Sequence, residues 1–248
     1  MKTSERHRLK GNELASAIGH AQGWMSENRS TITASFAAIV VVAGALGGYA
    51  AWRSNTDSKA RTMLAEAMVI EEARVMPPGP PAGTTTDPNA PGGQLPGTYP
   101  TDKARLEAAL PKFIAAADTY PANDAGITAR YHAARTLVDL GRFDEAAKQY
   151  DQVMNSGSSM IARMAKLGKA EAQIRAGQFE PALVTLKALA EEKDSGLPPD
   201  AVLMELARGY RLAGKVEDAR KTLNQIVEQH ADSPFATEAK TELERLKS

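Results

Sequence analysis

The stretch GRFDEAAKQYDQV, from Gly141 to Val153, returns as GQFEPALVTLKAL at Gly177 to Leu189 and as GKVEDARKTLNQI at Gly214 to Ile226. Each copy places an apolar residue two positions after its glycine, an alanine five on, a bulky residue nine on and an aliphatic one twelve on. These are Phe143, Ala146, Tyr150 and Val153; Phe179, Ala182, Leu186 and Leu189; then Val216, Ala219, Leu223 and Ile226. Steps of three, four and three residues put all four positions on one face of an α-helix. The copies start 36 and 37 residues apart, a period that marks a solenoid of helical hairpins. Glycine permits a tight turn before each helix, and alanine lets two antiparallel helices approach closely. Before each glycine lies a second amphipathic pattern: Ala133, Ala134 and Leu137, then Ala170 and Ile174, then Leu206, Ala207 and Tyr210. Three two-helix units over 125–232 follow. Ser233 and Pro234 then read as the cap and first-turn proline of a final helix over 233–248, with Phe235, Ala239, Leu243 and Leu246 as its packed stripe.

Working back from the repeats, a helical stripe of Leu106, Ala109, Leu110, Phe113 and Ala117 is interrupted by Pro111, which predicts a kink or a second helix starting there. Eight of the fourteen prolines and five glycines lie between Pro77 and Pro100, so 76–101 is expected to be a loop without regular structure. Ahead of it, Met63, Leu64, Met68 and Ile70 give an apolar face to a helix from about Asn55 to Arg74. The segment 53–120 therefore reads as a degenerate helix pair with the loop inserted in it.

From Ser30 to Trp52 run 23 residues without a charge, closed by Arg29 and Arg53. At 1.5 Å per residue the run spans roughly 33 Å, enough for a bilayer core of roughly 30 Å. Ile32, Phe36, Ile39, Val40, Val41, Val42 and Leu46 point all around the axis, leaving no polar face. This stretch, 30–52, is expected to be an uncleaved transmembrane helix. Five basic residues before it, against three in the twenty residues after it, favour a cytoplasmic leader (1–29) and an exported C-terminal region. Leu14, Ile18, Ala21 and Met25 in the leader, with Trp24, fit either a short helix along the lipid headgroups or a tail. Gly44 and Gly48 form G-x-x-x-G, a spacing that packs membrane helices as a homodimer or against another membrane protein.

Thirty basic and thirty acidic residues are mixed along the chain, which leaves no nucleic-acid footprint. Cysteine is absent, which excludes a disulfide framework, a thiolate metal site and a lipid-modified cysteine. The four histidines are scattered and expected to be solvated, with no metal-ligand pair among them. Without a nucleophile elbow or a phosphate-cradling loop, the chain is expected to be neither an enzyme nor a cofactor binder.

The glycine, alanine and aliphatic positions of the three copies resemble the tetratricopeptide repeat. Lys169 and Gln173 depart from that pattern, standing where bulky apolar residues are usual, so the second unit is expected to pack more loosely. The fold class is thus all-α: one N-terminal transmembrane helix followed by a tetratricopeptide-like solenoid. In its full order the chain looks like the YfgM family of bacterial membrane-anchored repeat proteins, ancillary subunits of the SecYEG translocon. That resemblance implies an inner-membrane protein facing the periplasm, whose partners are the Sec translocon, periplasmic chaperones and exported polypeptides. The first helices of such a solenoid line a concave face. The candidate partner-binding residues there are Tyr131, Arg135, Leu167, Glu171, Met204, Arg208 and Arg211, with Val138 and Arg175 beside them. Apolar and basic groups together suit a polypeptide with an acidic or C-terminal carboxylate element. Arg135, Glu171 and Arg208 occupy positions where repeats that clamp chaperone C-termini carry asparagine, which disfavours that ligand. The alternative function is a homo-oligomeric scaffold of the cell envelope assembled through Gly44 and Gly48.

Overall fold

The computed structural model describes residues 29–77, 95–156, 159–192 and 196–246. The leader with its Leu14 to Met25 stripe, and most of the proline-rich insertion, lie outside the described residues. The chain divides into two compact units, one ending at Thr56 and the other beginning at Asp57.

The helix α1 (Arg29–Glu71), whose residues up to Thr56 belong to the first unit, is long and apolar enough to cross a membrane by length and composition. Within it Thr33 donates to the carbonyl of Arg29 at 2.8 Å and, past the uncharged run, Thr56 donates to that of Trp52 at 2.9 Å. Tyr49 and Trp52 lie with ring centroids 5.9 Å apart. Around Gly44 and Gly48 nothing comes within 4 Å of where a Cβ would sit. The sequence predicts two helices here, one over 30–52 and one from about Asn55 to Arg74, yet α1 runs unbroken for 43 residues. No proline or glycine stands between Trp52 and Glu71 to end it.

In the second unit the last turns of α1 bury Ala60 and Ala67 completely, and Met63, Leu64, Met68 and Ile70 pack on the core. A parallel ladder of β1 (Arg74–Val75) and β2 (Thr98–Tyr99) follows, extended by the Met76 amide donating to the Tyr99 carbonyl at 2.8 Å. Regular structure thus reaches inside the segment expected to be loop throughout. Helix α2 (Asp102–Thr119) opens with Thr101, whose hydroxyl accepts from the Ala104 amide at 3.1 Å. It continues through Pro111 as one helix. The proline faces solvent while Ala109, Leu110, Phe113, Ala116 and Ala117 are buried, so the ring needs no space in the core.

Three hairpins come next: α3 (Asp124–Asp139) with α4 (Phe143–Met154), α5 (Ser159–Arg175) with α6 (Phe179–Glu191), and α7 (Pro199–Leu212) with α8 (Val216–Gln229); α9 (Ala236–Arg245) ends the array. Each helix packs on the next, and α3 touches α5 as α5 touches α7, which is solenoid stacking. Ala146, Ala182 and Ala219 are completely buried, as are Leu186, Val153 and Ile226. Phe143 and Phe179 are half-buried, whereas Val216 at the matching position is exposed. In the second unit Lys169 is held by Asp151 at 2.6 Å, an ion pair replacing the apolar contact expected at that register. Ser233 and Pro234 do not open the last helix: the Ser233 hydroxyl accepts from the Phe235 amide at 2.9 Å in the turn before it, and α9 starts at Ala236 with Phe235 as an N-cap that makes no side-chain cap bond.

The three turns are built alike. Gly141, Gly177 and Gly214 have φ of 76°, 78° and 74°. The residues after them, Arg142, Gln178 and Lys215, each donate 2.8 Å backbone hydrogen bonds to the carbonyls of Leu137, Gln173 and Tyr210, five positions earlier. This Schellman closure satisfies carbonyls that the helix end leaves free. Nothing lies within 4 Å of a Cβ added at any of the three. The penalty for a side chain there is therefore conformational: Gly214→Ala should cost about 1–2 kcal/mol, read from urea unfolding in detergent, and Gly214→Asn distinctly less.

Candidate functional site

The face toward which the first helices contribute is anchored by an aromatic row. His132 stacks on Phe113 with centroids 5.2 Å apart, and its Nδ1 lies 2.9 Å from Glu71 Oε2. His132 is therefore half-buried, not solvated as expected, because one helical turn of α3 aims it at α1 and α2. Tyr131 meets His132 edge-on at 6.2 Å and Tyr150 at 5.8 Å. Burial pushes the Tyr131 phenol above its usual range. Tyr150 is almost fully buried and leans on Gly168, where a Cβ would come 2.5 Å from its ring.

Arg135, one turn beyond Tyr131, is exposed and forms no hydrogen bond or ion pair among the described residues. Val138 is buried at 4 % exposure and belongs to the core, not to the outward face on which the sequence placed it. On α5, Leu167 and Glu171 are half-buried, and Arg175 lies 3.6 Å from Asp139 and 3.9 Å from Glu171, over the Phe143 ring. Met204, Arg208 and Arg211 of α7 share a cavity of about 300 Å³ with Leu223, Phe235, Glu238 and Glu242. Arg211 approaches Glu242 at 3.6 Å, and Arg208 approaches Glu205 at 3.8 Å.

One carboxylate links the two ends. The charge of Glu171 acts on Tyr131 and Tyr150 on one side and on Glu205 on the other. The helices that carry the candidate positions are adjacent, α3 touching α5 and α5 touching α7. Sequence reading missed Glu205, Glu238 and Glu242. Glu205 directly follows the chosen Met204, so its place in the lining of this cavity was within reach, whereas the two carboxylates of α9 carry no local signal.

Burial, reinforced by Glu171 and Glu238, raises the Glu205 carboxyl above its usual range. Its Oε2 is shielded and has no hydrogen-bond partner among the described residues. A carboxyl raised on folding binds its proton more tightly in the native state, so stability falls as pH climbs from the unfolded value of about 4.3 through the raised one. Glu205→Gln should then stabilise the protein by about 1 kcal/mol at neutral pH and have little effect below about pH 4. Denaturant midpoints at the two pH values check this, and an equal effect at both would contradict it.

Among the described residues, no group of three or more His, Asp or Glu side chains is placed to hold a metal ion. The tetratricopeptide repeat profile matches residues 201–233, which are α7, α8 and the turn after them. The fold is that of tetratricopeptide repeats. The matched unit carries Gly214, Ala219, Leu223 and Ile226, and its register extends to the tetratricopeptide-like units before it. Solved structures similar to the chain include two of nearly identical TPR-like repeats from Podosopora anserina, one of them a point variant. Both are 21% identical and cover 57% of this chain and 77% of their own, with TM-scores of 0.49 for the variant and 0.48 for the other. No curated protein matches the sequence. Tetratricopeptide folds are generally non-catalytic scaffolds for protein interaction, which makes proteins the expected class of partner.

Proposed function

We propose that the chain is a non-enzymatic protein-interaction module anchored in the bacterial inner membrane, with its repeats in the periplasm, serving as an ancillary subunit of the Sec translocon. One observation carries this reading: tetratricopeptide-type repeats follow the one helix among the described residues that is long and apolar enough to cross a bilayer. The excess of Lys and Arg before the helix supports export of the repeats, and the likeness in element order to YfgM-type proteins supports the translocon as their neighbourhood. Tyr131, Arg135, Leu167, Glu171, Met204, Arg208 and Arg211 would form the surface offered to exported polypeptides and to periplasmic chaperones. The domain limits at 29, 52, 120 and 232 belong to the same reading, while α1 runs continuously past the second of them.

A homo-oligomeric envelope scaffold is the competing reading, favoured by the open small-residue stripe at Gly44 and Gly48. Purification of the full-length protein from native membranes in mild detergent separates the two. Co-purifying translocon subunits or chaperones, retained when Gly44→Ile and Gly48→Ile are combined, support the ancillary role. Self-association alone, lost in that double variant, would establish the scaffold instead.

A further inference from the structure

We infer that the face built from α3, α5, α7 and α9 selects an extended polypeptide segment with opposite charges at its ends, an acidic group toward α3 and a basic one toward α9. The inference rests on the proposal that this face holds polypeptides. Most charges along it are already matched. Arg175 lies between Asp139 and Glu171, Lys169 is held by Asp151, and Arg211 and Arg245 approach Glu242 at 3.6 and 2.6 Å.

What remains unmatched differs at the two ends. At the α3 end Arg135 is exposed with no ion pair among the described residues. At the α9 end Glu238 is exposed and likewise without one, while Glu205 is paired with Arg208 at 3.8 Å. Between them lie the half-buried apolar side chains of Leu167 and Met204. A partner charge that meets an unneutralised group need not displace an existing pair, and the reversed arrangement sets like charges together. The cavity at the α9 end, walled by Met204, Leu223 and Phe235, suits the methylene stem of a lysine or arginine whose head reaches the Glu238 carboxylate, the Arg208 and Arg211 guanidiniums of its lining being paired with Glu205 and Glu242. Three helix-to-helix steps of about 8–10 Å separate the ends, about eight residues of extended chain at about 3.4 Å each.

The test uses full-length protein in lipid nanodiscs and fluorescent peptides of about nine residues sharing one apolar core, a length set by that separation. Their terminal pairs are Glu/Lys, Glu/Glu, Lys/Lys or Gln/Gln. The Glu/Lys peptide should bind about fivefold more tightly than either like-charged one, with the advantage shrinking in salt. Arg135→Glu should make Lys/Lys the preferred peptide, and Glu238→Lys should make Glu/Glu the preferred one. Equal affinity for all four peptides, abolished for all by Leu167→Arg, would overturn the charge selection while leaving the face as a polypeptide site. Absence of binding by every peptide would overturn both readings.

Discussion

Tyr150→Ala is expected to destabilise the repeat unit by about 3–5 kcal/mol, the range for removing a large buried aromatic side chain. Tyr150 is 2 % exposed and sits where α4 passes between α3 and α5. Its ring faces Tyr131 on one side and fills the slot left open by Gly168 on the other. Alanine would leave a cavity that neither neighbour can enter without moving its helix. Urea unfolding in detergent should show the loss as a lower midpoint with an unchanged slope. A loss below about 1 kcal/mol would contradict the packing described. The same residue has an alkaline signature. Burial pushes its phenol well above the ordinary value, so the native state resists ionisation and stability should decline as pH rises past about 10. Tyr150→Phe should remove most of that decline while keeping the ring, leaving the smaller contribution of Tyr131.

Gly126→Ala is expected to cost about 3 kcal/mol, at the upper end of what overpacking imposes. A Cβ on Gly126 would lie 1.9 Å from the carbonyl oxygen of Tyr120 and 2.7 Å from its carbon, and these are backbone atoms that cannot rotate away. Tyr120 ends α2 with its amide on the Ala116 carbonyl, and its own carbonyl accepts from the Asn123 amide at 3.1 Å. Asn123 in turn caps α3 through the Ala125 amide and donates to Asp57 at the start of the second unit. Relief of the clash therefore has to reopen the turn that joins α2, α3 and α1. Gly44→Ala is the matched control: no atom lies within 4 Å of its Cβ, and a helical alanine there should leave the repeat unit's stability unchanged. Comparable midpoints for the two variants would mean that α2 and α3 do not approach as closely as described.

The repeat positions were legible because their signal is local. Glycine at Gly141, Gly177 and Gly214 reports a positive φ, and Ala146, Ala182 and Ala219 report helices in contact, all within short windows of sequence. Gly126, Gly168 and Gly209 escaped because a glycine inside a helix has no distinctive period, and the atoms that exclude its Cβ belong to other elements. The ladder of Arg74–Val75 with Thr98–Tyr99 escaped for the same reason: two residues of strand have no pattern, and the partner lies beyond the proline-rich insertion. Val138 shows the converse error. It was assigned to the outward face by register, yet α3 is covered on more than one side by α2, α4 and α5, so the buried arc is wider than the repeat pattern alone implies.

The candidate surface was readable in its helices but not in its electrostatics. Arg208 and Arg211 looked like two free cations in the sequence, whereas Glu205 and Glu242 stand beside them in the fold. Glu242 reaches Arg211 from α9, a contact that depends on how the final helix docks on α8. Among the described residues only Arg135 keeps the open charge that the sequence suggested for the basic positions, and it does so next to Tyr131 in the most aromatic part of the array.

Site-specific photo-crosslinking in native membranes tests the central claim, that this face of the repeats holds other proteins near the translocation machinery. A photoreactive residue replaces Arg135 in the full-length protein, and the control replaces Val184, which is 68 % exposed on α6. The account predicts adducts with translocon subunits, envelope chaperones or exported chains from position 135 and not from 184. Adducts of the protein with itself alone, or equal yields from both positions, would contradict it.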